Sequence, residues 1–310
     1  MSTTSRTIAL RSRVAAVGAV AVAGALVLTG CGDQTKKSSG GADSAPLHDM
    51  LPKDLATKGV IKVGSDIAYA PVEFTDKSGR TAGVDPDIAA ALGKQLGVKF
   101  QFNNGSFDTL VTGLRAKRYN LIMSAMTDTK DRQNGVEGGK KVGQGVDFVD
   151  YYSAGVSIYT QKGKTEGING WSDLCGKTIV VERGTVSEDL SKAEAKKCPA
   201  GKTVKIESFD TDQQAEVRLR SGGADAGSAD SPVASYAVKT SGGGKDFQLV
   251  GKTVQAAPYG IAVTKGDTKL AKALQAAVNA IITNGEYQKI LQKWGAQDGA
   301  ITASTINGGS

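Results

Sequence analysis

Residues 121–132 read LIMSAMTDTKDR, an apolar run that ends in a cluster of hydroxylated residues and an arginine. The cluster contains Ser124, Thr127, Thr129 and Arg132. Hydroxyl and guanidinium groups are hydrogen-bond donors, and the first turn of a helix adds unpaired backbone N–H groups. Donors gathered where a predicted strand meets a predicted helix are what a small anion requires. The sequence therefore predicts an anion-binding site at this point.

Other polar and aromatic residues also lie near the ends of predicted strands. They are Asp66 after IKVGS, Phe107 near QFNNGS, Thr185 after IVVERG and Asp230 after AGSA. In an open α/β sheet, ligands bind in the crevice beyond the carboxyl ends of the strands. We therefore expect these residues to lie close to Thr127. Asp230 has an alternative role, because an aspartate directly before Ser-Pro is a favourable helix N-cap.

Strand and helix patterns alternate in two units of the chain. The first unit has strand patterns in VIKVGSD, KFQFNN and YNLIMSAM, and helical spacing in DPDIAAALGKQLGV and FDTLVTGLRAKR. The second unit follows Tyr159 and repeats this order through TIVVERG, TVKIESF and ADAGSAD. The chain continues with the strand patterns FQLVG and PYGIAVTKG and with two amphipathic helices broken near Asn284-Gly285. This alternation predicts an α/β protein with mainly parallel sheet.

The first 31 residues read as an export signal. MSTTSRTIALRSR is basic, VAAVGAVAVAGALVL is apolar but short for a membrane span, and LTGC resembles a bacterial lipobox. We predict a signal peptide over residues 1–30 and lipidation of Cys31, with residues 31–55 as a flexible tether. A signal anchor with an incidental cysteine is the alternative. Lipid on Cys31 would hold the protein on the outer face of the cell membrane.

The charge and cysteine content narrow the possible partners. The formal net charge is +7, and excluding Arg6, Arg11 and Arg13 of the leader lowers it to +4, with no run of five like charges. No nucleic-acid partner is expected from so dispersed an excess. Once Cys31 is set aside, two of the three cysteines remain, which suggests a disulfide between Cys175 and Cys198 in an exported protein. The single histidine, His48, lies in the predicted tether, so we expect neither a metal site nor a cofactor.

Between Val60 and Gly295 the chain resembles the amino-acid-binding proteins of bacterial ABC importers, in the polar and basic amino acid family. The resemblance rests on ordered motifs, which include VGSDIAYAPVEF, GVDPDIAAALGKQLG, FDTLVTGL, MTDTKDR, VDFVDYY, LCGKTIVVERGT, ADAGSADSP, YGIAVTKGD and GEYQKILQKWG. It implies a two-lobed, periplasmic-binding-protein-like (type II) fold with two mainly parallel sheets, flanking helices and two hinge strands. Lobe 1 is then expected over residues 56–154 and 258–300, and lobe 2 over residues 155–257. Such lobes close over a single ligand by hinge motion.

The resemblance also implies how a free amino acid would be held. Arg132 matches the arginine that binds the ligand's α-carboxylate, and Ser124, Ala125 and Thr127 match positions that add backbone and hydroxyl contacts. Asp230 matches the carboxylate of the second lobe that receives the α-ammonium group. A zwitterion would therefore contact both lobes at once and stabilise their closed arrangement.

The remaining matched positions concern the ligand's side chain. Tyr69 and Phe107 match two aromatic residues that sandwich the side chain in relatives that bind basic amino acids, and Asp66 matches an acidic residue that meets an amine or amide. Glu182 lies at a variable position, where it either adds a second carboxylate or is paired elsewhere. Thr185 belongs to the same group. These residues favour lysine, arginine, ornithine or glutamine.

Two departures from the family pattern stand out. Val186 occupies a position where many relatives have a threonine, so one hydroxyl contact is absent. Residues 133–145 form a polar, Gly-rich insertion, which we expect at the surface near the cleft.

The leading functional hypothesis is a binding protein without enzymatic activity. It would act as a lipid-anchored monomer that delivers an amino acid to the membrane permease subunits of an ABC importer. The alternative is a dehydratase on the same scaffold, acting on prephenate-type or arogenate-type acids with Glu182 as a proton donor.

Overall fold

The computed structural model of the protein describes residues 45–165 and 167–310. The predicted signal peptide, Cys31 and most of the predicted tether lie outside the described residues. None of the helices in the described ranges is long and apolar enough to cross a membrane.

Thirteen strands are present in the described residues. In chain order they are β1 (Val60–Ser65), β2 (Ala68–Tyr69), β3 (Glu73–Thr75), β4 (Thr81–Ala82), β5 (Lys99–Asn104), β6 (Leu121–Ile122), β7 (Val136–Glu137), β8 (Lys140–Lys141), β9 (Val146–Gln161), β10 (Thr178–Glu182), β11 (Lys205–Phe209), β12 (Ala226–Asp230) and β13 (Phe247–Thr264). Eight of them form one sheet in the order β11-β10-β12-β9-β13-β6-β1-β5.

This sheet has two parallel parts that two long strands connect. β1 pairs in parallel with β5 and β6, and β10 pairs in parallel with β11 and β12. Between these parts, β9 and β13 run antiparallel to each other through 16 and 18 residues. We call the part around β1, β5 and β6 lobe 1, and the part around β10, β11 and β12 lobe 2. The two predicted sheets are thus halves of one hydrogen-bonded sheet, because β9 and β13 pass through both lobes.

The α-helices of the described residues cover both parts of the sheet. They are α1 (Lys53–Lys58), α2 (Val84–Leu96), α3 (Leu110–Arg115), α4 (Lys130–Asn134), α5 (Val186–Ala195), α6 (Asp212–Arg220), α7 (Ser231–Thr240), α8 (Thr268–Thr283) and α9 (Glu286–Trp294). Short 3₁₀ turns cover His48–Met50, Phe107–Thr109, Trp171–Leu174, Ser241–Gly243 and Gln297–Gly299.

Helix α2 shows why the helical pattern predicted the structure well. Ile88, Leu92 and Leu96 recur every four residues and are fully buried, which gives the helix one apolar face. Gly97 ends α2 in a left-handed conformation with φ 68°, as helix-ending glycines commonly do. The buried face of α2 packs against α8 and α9 in lobe 1.

The folded body extends further at both ends than the predicted lobes. Leu51 and Leu55, inside the predicted tether of residues 31–55, are only 2% and 4% exposed. The last part of that segment therefore packs in lobe 1, since its two leucines have an apolar surface to cover. Beyond residue 300, Ile306 forms a β-bridge with Val149 of β9. The predicted lobe borders between β9 and β13, at residues 154/155 and 257/258, stay a prediction.

The second unit carries the predicted disulfide. Cys175 and Cys198 are bonded to each other in lobe 2, with 23 residues of sequence separation. The insertion of residues 133–145 ends α4 and then forms the β7–β8 hairpin, with Lys140 and Lys141 exposed at the surface.

Candidate ligand-binding site

A closed cavity lies between the two lobes and has an empty volume of about 270 Å³. That volume is near the lower end of the usual range for small-molecule sites, roughly 300–1,000 Å³. The cavity is lined by Asp66, Tyr69, Glu73, Phe107, Ala125, Thr127, Arg132, Glu182, Thr185, Val186 and Asp230. The structure thus brings together ten of the eleven residues expected to surround a ligand. The eleventh, Ser124, is buried just behind the wall of the cavity.

The ends of the parallel strands place these residues. Asp66 directly follows β1, Glu182 and Asp230 are the last residues of β10 and β12, and Thr127 lies five residues beyond β6. The carboxyl ends of the strands in both lobes therefore face one crevice, as expected for open α/β sheets. Thr127 is also fixed by an isolated β-bridge to Tyr259 of β13.

Arg132 connects the two lobes at one end of the cavity. Its Nη1 donates to the carbonyl oxygen of Thr127 at 2.8 Å, and its Nη2 donates to the carbonyl oxygen of Gly184 in lobe 2 at 3.0 Å. Its guanidinium carbon lies 5.3 Å from the centre of the Phe107 ring. A guanidinium has five N–H donors, so the group retains capacity for a carboxylate.

Backbone geometry brings the lobes close together beside Arg132. Gly184 has φ 78°, and a Cβ there would lie 3.0 Å from the side chain of Asp108 in lobe 1. Thr129 caps helix α4 by accepting a hydrogen bond from the Arg132 backbone N–H, at 3.2 Å. The hydroxyl of Thr129 thus holds the helix start that carries the arginine.

Asp230 lies on the lobe 2 side of the cavity. Tyr259 donates its hydroxyl to Asp230 Oδ2 at 2.7 Å, and the backbone N–H of Asp230 donates to the hydroxyl oxygen of Tyr69 at 3.0 Å. Burial raises the pKa of Asp230 to about 6, against the opposing effects of the Tyr259 hydrogen bond and the charge of Arg132. Although Asp230 precedes α7, its side chain makes no capping hydrogen bond. The carboxylate is therefore directed to other partners, which weakens the N-cap interpretation.

Asp66 and Glu182 face each other from opposite lobes. Their carboxyl groups are hydrogen bonded to each other, and Asp66 Oδ2 also accepts a bond from the Phe107 backbone N–H at 3.1 Å. Burial raises the pKa of Asp66 to about 6 and that of Glu182 well above its ordinary value. Glu182 Oε1 has no hydrogen-bond partner within residues 45–165 and 167–310. Two carboxyl groups this close share a proton, because both cannot ionise without repulsion.

The hydroxyl groups of the second lobe are mostly bonded within the protein. Thr185 caps helix α5, and its hydroxyl donates to the carbonyl oxygen of Glu182 at 2.7 Å. Val186 begins the same helix and presents an apolar side chain to the cavity. This part of the wall can therefore pack an alkyl chain better than it can bind a charge.

The sequence analysis missed a second pair of acidic residues, Glu73 and Asp85. Both are fully buried in lobe 1 and are hydrogen bonded to each other. Ser124 donates its hydroxyl to Glu73 Oε1 at 3.0 Å, and Asp85 accepts from the Ala125 backbone N–H at 3.3 Å and the Tyr151 hydroxyl at 2.7 Å. Burial raises the pKa of Asp85 to about 7 and that of Glu73 further. The motif APVEF contains Glu73 four residues after Tyr69, but its burial could not be read from that spacing.

This acidic pair supports the loop that carries the predicted anion-binding residues. Ala125 has φ 45°, a conformation that costs free energy for a residue other than glycine. The bond from its N–H group to Asp85 holds that conformation in place. Asp66 is tied to the same network, because its backbone N–H donates to Ser124 Oγ at 2.9 Å.

A family model described as "Bacterial extracellular solute-binding proteins, family 3" matches residues 61–297. The chain belongs to this family. As a member, it is a solute-binding protein and not an enzyme, so the dehydratase alternative is not supported.

Named relatives of this solute-binding protein agree with the family match. The chain is 31% identical over 264 residues to the arginine-binding protein ArgT of Corynebacterium glutamicum, covering 84% of this chain and 82% of that protein. It is 31% identical over 249 residues to the L-arginine-binding protein of Pseudomonas aeruginosa, covering 79% and 90%. Among solved structures, an ancestral arginine-binding protein bound to arginine superposes with a TM-score of 0.68 at 34% identity, covering 76% of this chain and 98% of that one. The predicted two-lobed fold is confirmed.

The acidic residues of this solute-binding protein do not assemble a metal centre in the part of the chain that the structure describes. Within it, no group of three or more histidine, cysteine, aspartate or glutamate side chains is arranged to hold a metal ion.

Proposed function

We propose that this solute-binding protein captures a free amino acid with a basic side chain between its two lobes. Arginine, lysine and ornithine are the favoured ligands, and glutamine is the amide alternative. The observation that carries this proposal is the charge around the cavity. Its lining contains one cationic side chain, that of Arg132, and four carboxyl groups, those of Asp66, Glu73, Glu182 and Asp230.

The two ends of the ligand backbone would meet opposite lobes. The Arg132 guanidinium would bind the α-carboxylate in a bidentate arrangement, which a lysine cannot reproduce. Asp230 would receive the α-ammonium group, whose positive charge would favour the ionised form of this buried carboxylate. A ligand with both groups therefore stabilises the closed arrangement more than a lone carboxylate or amine does.

The Asp66–Glu182 pair would receive a cationic group at the end of the ligand's side chain. A cation between two carboxyl groups replaces their shared proton and removes their repulsion. Tyr69 and Phe107 line the same cavity, and their rings offer apolar faces for an alkyl stem. An acidic side chain would meet repulsion here, which disfavours glutamate and aspartate.

The cellular role follows from the leader sequence and from the family. We propose that the mature protein is a monomer anchored by lipid on Cys31 to the outer face of the cell membrane, where it delivers its ligand to the permease subunits of an ABC importer. The printed names of the relatives, which include arginine-binding proteins, support this assignment.

A competitive binding screen tests the ligand class. Isothermal titration calorimetry with the twenty amino acids, ornithine and citrulline should show saturable binding of arginine, lysine or ornithine without turnover. Citrulline has nearly the shape of arginine but lacks its charge, and it should bind at least about tenfold more weakly, as expected when a buried charged hydrogen bond is lost. Equal binding of arginine and citrulline would remove the role of the acidic pair, and binding of no amino acid would refute the proposal.

A further inference from the structure

A segment near the end of the chain lies along β9 in lobe 1. We call this segment, Ser304–Gly309, the strap. The Asp150 backbone N–H donates to the Thr305 carbonyl oxygen at 2.9 Å, and the Ser304 hydroxyl donates to the Asp150 carbonyl oxygen at 2.6 Å. The Asn307 N–H donates to the Phe148 carbonyl oxygen at 3.0 Å. The strap is therefore fixed to the strand by several backbone bonds.

The strap also supplies donors to two buried carboxyl groups. Asp150 Oδ2 accepts from the Thr305 hydroxyl at 2.6 Å and from the Gly308 N–H at 3.1 Å. Asp128 Oδ2 accepts from the Gly309 N–H at 2.8 Å. Asp128 is fully buried and Asp150 is 2% exposed. Because buried carboxyl groups without donors are costly, the strap is a substantial part of what keeps both in place.

The approach of the strap to Asp128 requires a glycine. A Cβ at Gly309 would lie 1.9 Å from the carbonyl oxygen of Asp128, which no side chain can accommodate without a backbone shift. The contact is therefore between backbones, and it transmits the position of one segment to the other.

Asp128 holds both ends of the segment that presents Arg132. It directly follows Thr127, whose carbonyl oxygen accepts from Arg132 Nη1, and its Oδ1 accepts from Gln133 Nε2 at 2.6 Å. Its backbone N–H donates to the Pro258 carbonyl oxygen at 2.8 Å, at the point where β13 enters lobe 1. We call Thr127–Arg132 the clamp segment.

We propose that the strap is a positioning element of the ligand site, and that it fixes the clamp segment from behind through Asp128 and Asp150. These two carboxyl groups are hydrogen bonded to each other, and burial raises the pKa of Asp150 to about 6. The strap lies outside residues 61–297, which the family model matches. Its effect on ligand affinity rests on the proposed function, whereas its effect on the clamp segment does not.

Hydrogen–deuterium exchange of the full chain without added amino acid tests the structural part. Thr305→Val removes one bond to Asp150 while preserving side-chain shape, and Asp128→Ala removes the acceptor for Gly309 and Gln133. Both variants should increase deuterium uptake in peptides covering residues 126–134. Asp128→Asn retains an acceptor and can donate to Asp150, so it should recover most of the lost protection. Ile61→Val, which removes one methylene group from the core of lobe 1, is the control and should leave this uptake unchanged.

Titration of the same proteins with L-arginine tests the functional part. Asp128→Ala should weaken binding about tenfold, the factor expected for losing a hydrogen bond to a charged group, and Asp128→Asn should restore most of it. Unchanged uptake and affinity in both Thr305→Val and Asp128→Ala would overturn the proposal, as would an equal effect of Ile61→Val. If Asp128→Ala does not fold, Thr305→Val decides. If the unmodified protein binds no arginine, the proposed ligand class fails while the exchange experiment still decides the role of the strap.

Discussion

Arg132 of lobe 1 donates a hydrogen bond across the cleft to the carbonyl oxygen of Gly184 in lobe 2, with 3.0 Å between Nη2 and the oxygen. The same guanidinium also bonds to the Thr127 carbonyl oxygen in its own lobe. The group proposed to bind the ligand's carboxylate is therefore also a direct connection between the lobes. Ligand binding and lobe closure share one side chain.

Arg132→Lys should weaken the binding of every amino acid ligand about 100-fold, because a lysine cannot keep both carbonyl contacts and a bidentate carboxylate contact. Calorimetry with arginine, lysine and ornithine measures the loss. Arg115→Lys is a suitable control, since Arg115 bonds to the Gln144 carbonyl oxygen at the surface. A variant that keeps full affinity for any one of these ligands would contradict the common role of Arg132.

Asp230→Asn should reduce the affinity for arginine by about tenfold or more, because the α-ammonium group loses an ionised partner in a buried site. The arginine analogue that lacks the α-amino group should bind weakly to both proteins, with almost no difference between them. Comparing the two ligands on the two proteins by calorimetry isolates the interaction between Asp230 and the ammonium group. If the substitution weakens the analogue as much as arginine, Asp230 acts on cavity shape instead.

The affinity for arginine should increase as the pH rises through about 6. Burial raises the pKa of Asp66 to about 6 and that of Glu182 further, so the pair holds a proton at low pH that a bound cation must displace. Calorimetry at pH 7 in two buffers of different ionisation enthalpy should detect proton release with arginine and little with glutamine.

Glu182→Gln is the matched variant for this pH effect, because it leaves Asp66 without a carboxyl partner. Its arginine affinity should depend less on pH, and proton release should decrease. Asp66→Ala should mainly change the order of ligand preference. If Glu182→Gln retains the full pH dependence, the shared proton is not the cause.

The stability of the protein without added ligand should fall as the pH rises from about 4 to about 7. Burial raises the pKa of Asp85 to about 7 and that of Glu73 further, whereas carboxyl groups in an unfolded chain titrate near 4. The folded state therefore binds more protons in this window, and a rise in pH favours the unfolded state. Urea unfolding at pH 5 and pH 8 measures the difference in free energy of unfolding.

Asp85→Asn should make that difference smaller, because the pair no longer needs a shared proton. Asp87→Asn is the control in the same turn of α2, where the carboxylate is partly exposed and pairs with Lys293. An unchanged pH dependence in Asp85→Asn would show that other buried carboxyl groups, such as Asp150 and Asp230, dominate.

The residues around the cavity could be predicted because each follows from a local pattern. Arg132 lies in a hydroxyl-rich helix start, and Asp66 and Asp230 lie where predicted strands end. The ends of parallel strands meet at one edge of a sheet, so correct strands are sufficient to bring such residues together. The same reasoning predicted the disulfide between Cys175 and Cys198 from cysteine number alone.

Other features depend on contacts that no local pattern encodes. FQLVG and PYGIAVTKG predict two strands, but the structure joins them in β13 because this strand pairs with β9 along most of its length. Asp85 has the position of a helix-start residue in α2, yet the packing of that helix buries it against Glu73.

The sequence by itself determined the fold class, the two α/β units and the identity of most residues at the cavity, because periodicity and strand-end chemistry are local. Only the tertiary structure decided which carboxyl groups share protons, which oxygen atoms Arg132 bonds, and that the strap supports Asp128. These relationships join residues up to 181 positions apart in the chain, as Asp128 and Gly309 are. Their distances are set by how helices and strands pack, which depends on the whole fold.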